Sequence, residues 1–249
     1  METSTIEVDE ATKKGNGKVK GNGKPPKTAD RIKEVGAIVF QLPKLEIEEA
    51  MFEVLGLSGY LSHAWDIKAI NQIERKQQGM PDEERAPRVP REEYIASMNT
   101  IDPKNHAKLD PPLTATDAQI AKMTHGIPTI SFCKAAVNAC STLPGVAKTH
   151  IRQLIAPIEE FCVLVGEPTF RMDMVRLKNG DMTPRYRACF YEWSAVLRLN
   201  YRPKSMNIAQ LVNLLDFAGS CVGVGEWRPE KGGAFGRFRI GRILSQKRA

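Results

Sequence analysis

Trp193-Ser194-Ala195-Val196-Leu197-Arg198-Leu199-Asn200-Tyr201 is followed, after five residues, by Asn207-Ile208-Ala209-Gln210-Leu211-Val212-Asn213-Leu214-Leu215-Asp216-Phe217-Ala218-Gly219. In the first segment Trp193, Ala195, Leu197, Leu199 and Tyr201 alternate with Ser194, Val196, Arg198 and Asn200. That period of two predicts a strand with one half-buried face. In the second, Leu211, Leu214, Leu215 and Ala218 recur at helical spacing. They form the apolar stripe of a helix, and Gly219 lies where a helix stops. A strand and a helix in direct succession place the chain in the α+β class.

Upstream, Ala50-Met51-Phe52-Glu53-Val54-Leu55-Gly56-Leu57 suits a buried strand over about 48–57. Ser131 is the expected N-cap of a helix over 131–141, after the turn imposed by Gly126-Ile127-Pro128. A short helix is expected over 147–154, and strands over 160–166, 186–190 and 234–241. In the last of these, Phe235, Arg237 and Arg239 are expected on one face. The core order is then β-α-β-β-α-β, the ferredoxin-like arrangement, in which an antiparallel sheet carries two helices on one face. The open face of such a sheet is a recurring platform for nucleic acid, as in RNA-recognition motifs.

Residues 1–33, which include Gly15-Asn16-Gly17-Lys18-Val19-Lys20-Gly21-Asn22-Gly23-Lys24-Pro25-Pro26-Lys27, read as a disordered basic tail with almost no apolar content. Residues 34–249 read as one domain. An insertion is expected over about 60–125, and its stretch 71–113 is polar and rich in proline and charge.

The chain has 249 residues, 42% of them hydrophobic, and a formal charge of +7. No apolar run approaches the roughly 18 residues a membrane span needs. Met1-Glu2-Thr3-Ser4 does not read as a secretory signal. A soluble protein of the cytoplasm is expected. Cys133, Cys140, Cys162, Cys189 and Cys221 are odd in number, lie in apolar contexts and are expected as buried free thiols. His63, His106, His125 and His150 are dispersed, so neither a zinc site nor any other metal or cofactor is expected.

The positive charge is concentrated late in the chain. Residues 171–204 hold eight basic and three acidic side chains, and residues 223–249 hold seven and two. Within the second stretch lies Gly223-Val224-Gly225-Glu226-Trp227-Arg228-Pro229-Glu230-Lys231-Gly232-Gly233-Ala234-Phe235-Gly236-Arg237-Phe238-Arg239, with five glycines in fourteen residues. Gly223, Gly225, Gly232, Gly233 and Gly236 permit positive φ and close approach to a ligand backbone. Arg228, Lys231, Arg237 and Arg239 are the candidate phosphate contacts, and Trp227 and Phe235 the candidate base-stacking faces. Arg185, Arg187, Arg198 and Arg202 are candidates on the sheet face. A purely structural reading of the same loop buries Trp227 and Phe238 and uses Pro229 to stiffen the turn. Glu226 and Glu230 are expected to pair with Arg228 or Lys231.

The segment 215–238, with Gly126-Ile127-Pro128 and residues 184–193, resembles a family of bacteriophage and prophage proteins over roughly residues 45–241. A more distant similarity is to the RAMP superfamily, the backbone subunits of CRISPR effector complexes. These carry a glycine-rich loop between the last helix and the last strand, the place held here by Gly223, Gly225, Gly232, Gly233 and Gly236. The resemblance implies single-stranded DNA or RNA binding and side-by-side assembly along the strand. It departs from the superfamily in having no second such loop and no nearby His suited to RNA cleavage.

Other chemistries are weaker. Gly145-Val146-Ala147-Lys148-Thr149 lacks the second glycine of a phosphate-binding ATPase loop. Gly223-Val224-Gly225 follows a helix, not a strand, so it is no dinucleotide fingerprint. Asp216 and Glu226 are the acidic pair on which a metal-dependent nuclease or RNA-processing enzyme would rest. No catalytic set is expected, and an assembly protein is the alternative to a nucleic-acid-binding one.

Overall fold

The alternation over 193–201 becomes a strand, Ser194–Tyr201, in which Ala195, Leu197, Leu199 and Tyr201 are buried and the intervening residues half-buried. The helical stripe becomes Ile208–Cys221, opened by a capping box in which Asn207 and Gln210 satisfy each other's backbone N–H. The computed structural model describes residues 4–8, 38–42, 45–64, 67–80, 87–176 and 179–248. The chain forms two units, Met1–Glu46 and Ile47–Ala249.

In the first unit β1 (Ser4–Val8) pairs antiparallel with β2 (Ile38–Leu42). The remainder of the predicted tail, 1–33, lies outside the described residues.

The second unit contains β3 (Glu48–Gly56), β4 (Tyr60–Leu61), α1 (Ile67–Gln77), α2 (Pro90–Ala96), β5 (Thr100–Ile101), β6 (Lys108–Leu109), α3 (Asp117–Ile120), β7 (His125–Pro128) and α4 (Thr129–Ala139). It continues through α5 (Lys148–Leu154), β8 (Ile155–Pro157), β9 (Phe161–Val165), β10 (Thr169–Arg176), β11 (Met182–Phe190), β12 (Ser194–Tyr201), α6 (Ile208–Cys221) and β13 (Phe238–Arg248). Its larger sheet runs β13-β3-β12-β9-β7-β5-β6, with β8 also on β12, and every described pairing is antiparallel. A smaller sheet runs β10-β11-β4. The architecture is mixed α+β.

One face of the larger sheet presents Ala50, Phe52, Val54, Leu197, Leu199 and Phe238 to the core, where Phe132 of α4 and Leu211, Leu215 and Ala218 of α6 meet them. Phe132 and Phe238 stand edge to face at 5.1 Å. Gly219 permits the closest contact. A Cβ there would meet the Phe238 carbonyl oxygen at 2.1 Å, so α6 can lie directly on β13 only without a side chain at that position.

Several expectations are corrected. Helix α4 begins at Thr129, not at a Ser131 cap, because Pro128 has its φ preset near −60° and admits the helix immediately after itself. The last strand begins at Phe238. Ala234, Phe235, Gly236 and Arg237 belong to the preceding loop, since Gly236 holds φ +67°. The stretch 71–113 is not a simple solvated excursion. Tyr94, Ile95, Met98 and Ile101 are buried, and β5 and β6 extend the sheet. Two-residue strands carry no readable period, and the prolines between them masked the apolar positions. Strand β10 was not foreseen. Cys133, Cys140, Cys162 and Cys189 are buried, and burial pushes the Cys133 and Cys162 thiols up to about 12, but Cys221 is exposed. Among the described residues, no helix is long and apolar enough to cross a membrane.

His125 on β7 is buried beside Phe190, and its ring nitrogens find no hydrogen-bond partner among the described residues. Burial holds its pKa below the usual 6.5, with the Ile120 backbone opposing more weakly. The folded protein therefore keeps His125 neutral, while the unfolded chain takes up a proton below about pH 6.5. This contribution to stability is intact above that pH and is lost as the pH falls through 6.5 towards the lowered folded value. Thermal unfolding of His125→Phe between pH 7.5 and 5 will show a shallower loss of stability than the parent. An identical pH profile would assign the loss to other groups.

Candidate nucleic-acid interface

The glycine-rich loop is a closed frame of backbone hydrogen bonds. Helix α6 ends with the Gly223 N–H donating to the Ala218 carbonyl at 2.9 Å. The Val224 N–H then donates to Gly236 and the Phe235 N–H to Trp227, at 2.9 and 3.0 Å, which ties the two limbs of the loop together. A 3-10 turn over Pro229–Lys231 forms its tip and ends at Gly232 with φ +75°. The frame is moored to β4 and its approach. The Gly236 N–H donates to Gly59, the Glu226 N–H to Leu61 and the Arg237 N–H to Ser58 Oγ. A Cβ at Gly236 would lie 1.7 Å from the Val224 carbonyl oxygen, and one at Gly233 would lie 1.8 Å from that of Trp227. These glycines bring the loop's own backbone together.

Trp227 has φ +48°, in the left-handed region that a bulky residue avoids. The loop's hydrogen bonds impose this conformation and hold the half-buried indole 6.3 Å from the Phe235 ring. Behind the pair stand two guanidinium groups, Arg187 at 5.2 Å from Trp227 and Arg171 at 5.0 Å from Phe235. Asp173 bridges them, at 2.8 Å from Arg171 and 3.1 Å from Arg187, and Glu226 approaches Arg187 at 3.6 Å. Burial draws the Arg187 pKa down while Asp173 and Glu226 oppose it, and the hydrogen bond that Arg171 donates to Asp173 raises that of Arg171. Both remain charged, as arginine does in proteins. The result is an aromatic pair backed by cations, a surface suited to stacking a base.

The predicted residues therefore separate into groups. Gly223, Gly225, Gly232, Gly233 and Gly236 shape the loop, and Trp227 and Phe235 form its aromatic pair. Lys231, Arg237 and Arg239 are exposed, as is Arg185 on β11, and among the described residues none of the four makes an ion pair. Arg228 turns inward, donating to the Gly225 carbonyl at 3.0 Å and to Glu230 at 2.7 Å. Arg187 is buried rather than presented on a sheet face. Arg202 is half-buried just beyond β12, where its backbone N–H donates to Leu154. Arg198 does lie on the helix-free face of the larger sheet, but it is bonded to Glu49 at 2.7 Å and to Glu159. Arg242 and Lys247 also pair with Glu53 and Glu49 there. The charges of that face are thus largely compensated within the fold. Phe238 is core, while Trp227 is only half-buried.

Of the two acids weighed for a nuclease, Asp216 accepts the Ile240 N–H at 2.5 Å, a bond that fixes α6 to β13, and Glu226 faces Arg187 rather than Arg228 or Lys231. Among the described residues, no group of three or more His, Cys, Asp or Glu is arranged to hold a metal ion. Sequence reasoning missed Arg171, Asp173 and Tyr191, whose hydroxyl accepts from Arg171 at 3.3 Å. The alternation Phe170-Arg171-Met172-Asp173-Met174 carried the signal, with apolar side chains exposed and the charged ones turned inward.

No family model matches the chain, and no curated protein does. Among solved structures, "Crystal structure of Cmr6 from Pyrococcus furiosus" aligns with a TM-score of 0.38 at 7% identity, covering 79% of this chain and 100% of that one.

Two substitutions separate the roles of the glycines. Gly232→Ala meets open space, so only the left-handed backbone opposes it, at about 1–2 kcal/mol. Gly236→Ala adds a clash with backbone and will cost about 2–3 kcal/mol more. Urea denaturation of both variants checks the order, and equal costs would mean that the loop is not closed as described. Asp173→Ala, which leaves Arg187 buried with only Glu226 near it, will destabilise the fold by about 3 kcal/mol in the same assay.

Proposed function

We propose that this chain is a non-enzymatic, single-stranded nucleic-acid-binding protein with a ferredoxin-like core. The sheet order β13-β3-β12-β9, with α4 and α6 on one face, supports that core reading. The observation that carries the function is the glycine-built loop that holds Trp227 at φ +48° beside Phe235, with exposed Lys231, Arg237 and Arg239 around it. The cations track the phosphate backbone and the aromatic pair stacks bases with little sequence preference. A host cytoplasm, and copies assembled side by side along the strand, belong to this reading and rest on the resemblance to bacteriophage proteins and to the RAMP superfamily.

A second reading, an assembly protein, is favoured by one observation. Phe170, Met172, Met174 and Met182 are exposed along the β10–β11 hairpin, an apolar surface of the kind that packs against another protein.

Fluorescence anisotropy with labelled single-stranded DNA, single-stranded RNA and duplex DNA across a salt series tests the proposal. Single strands are expected to bind, with affinity falling steeply as salt rises. Replacing Lys231, Arg237 and Arg239 together by Ala will reduce the salt slope by about two. Trp227→Gly keeps the left-handed backbone and deletes the ring, and will weaken binding by about 1–3 kcal/mol. Variants that bind like the parent would place the interface elsewhere. Uniform multimers without any strand binding would favour assembly.

A further inference from the structure

A pocket of about 220 Å³ lies between α4 and the inner side of the glycine loop, lined by Ser131, Lys134 and Asn138 on the helix and by Gly223, Gly225 and Arg228 on the loop. Glu230 also reaches it, but both carboxylate oxygens are occupied, one by Asn138 Nδ2 at 2.8 Å and the other by Arg228 at 2.7 Å. Lys134 is exposed, and neither its ammonium nor the Ser131 hydroxyl has a partner among the described residues.

The loop backbone adds a second, independent feature. Gly223, Gly225 and Trp227 all have positive φ, at +73°, +78° and +48°, while Val224 and Glu226 between them do not. Alternation of this kind makes the concave arrays of N–H groups that bind anions. Here the N–H groups of Val224 and Glu226 are spent on Gly236 and Leu61, whereas that of Gly225, which lines the pocket, donates to no acceptor among the described residues. Unspent backbone donors in a half-buried loop require water or a ligand. The same pocket is lined by a free ammonium, a free hydroxyl and the Arg228 guanidinium, which is paired with Glu230.

We infer that this pocket is a phosphate subsite, in which Lys134 supplies the charge, Ser131 a hydroxyl donor and Gly225 a free backbone N–H. The inference rests on the nucleic-acid reading in taking that phosphate to be one of the strand's own. Lys134 lies outside the exposed loop cations, on a different element, so the strand's backbone would pass from the aromatic pair around the loop to α4. Arg228 then acts on the ligand from within the loop, held in place by Glu230 and the Gly225 carbonyl.

Two measurements on the full chain test it. In the first, inorganic phosphate at constant ionic strength is expected to raise the melting temperature relative to chloride, and Lys134→Met is expected to abolish the rise. In the second, Lys134→Met is expected to weaken binding of a labelled single-stranded oligonucleotide about tenfold, with Lys134→Arg retaining most of the affinity. The salt slope should fall by about 0.7, the share of one phosphate. If the parent binds strands and Lys134→Met changes neither affinity nor the phosphate response, the subsite is wrong while the proposed function stands. If phosphate stabilises through Lys134 but no strand binds, the pocket serves a free phosphate and the nucleic-acid reading falls. If neither occurs, both are overturned.

Discussion

The contact on which the rest of the site depends is backbone against backbone, where the Val224 carbonyl packs on Gly236. There is no room for a methyl group, and the Val224 N–H returns a hydrogen bond to the Gly236 carbonyl. This closure brings the end of α6 to the start of β13, and the sixteen-residue loop between them becomes a rigid frame. The same closure forces Trp227 into a backbone conformation that costs about 1–2 kcal/mol for an L-residue. That cost is offset by the ring of hydrogen bonds on either side. Strain held by an over-determined frame is a common feature of binding sites, because it fixes a side chain before the ligand arrives.

Electrostatics then divides the cations by function. A carboxylate buried between two arginines, as Asp173 is between Arg171 and Arg187, holds both guanidinium groups behind aromatic rings. These charges stiffen the platform and are not available as freely solvated phosphate contacts. On the helix-free face of the larger sheet, Glu49, Glu53 and Glu159 neutralise Arg198, Arg242 and Lys247 in the same way. Among the described residues, exposed cations without an ion pair stand at and beside the loop, on Lys231 and Arg237, on Arg239 at the start of β13, and on Lys134 of the neighbouring helix. Under the proposed function, an anionic strand would be drawn to the loop rather than to the sheet face whose charges are paired.

Much of the core was legible from period alone. Residues 193–201 and 207–219 had the right type and nearly the right ends, because a buried face forces apolar residues to recur every two or every 3.6 positions. What period could not show was β5, β6 and β10. The first two are too short to have one, and the third turns its charged side chains inward and its apolar ones outward. The loop glycines were also legible. Their purpose was not, since the same residue type serves an open ligand cradle and a loop that packs on itself.

The amino-acid sequence by itself determined the types of the core strands and helices, the position of the loop between the last helix and last strand, and the excess of positive charge in the final third. These follow from local rules, namely side-chain period, capping and composition. Only the tertiary structure decided which arginines are spent on carboxylates, that Trp227 pairs with Phe235, and that Lys134 shares a pocket with the loop. Several of those facts depend on residues far apart in the chain being folded into contact, as with Glu49 and Arg198, 149 positions apart. No local pattern encodes such a meeting, because a charge's partner is set by where the chain returns.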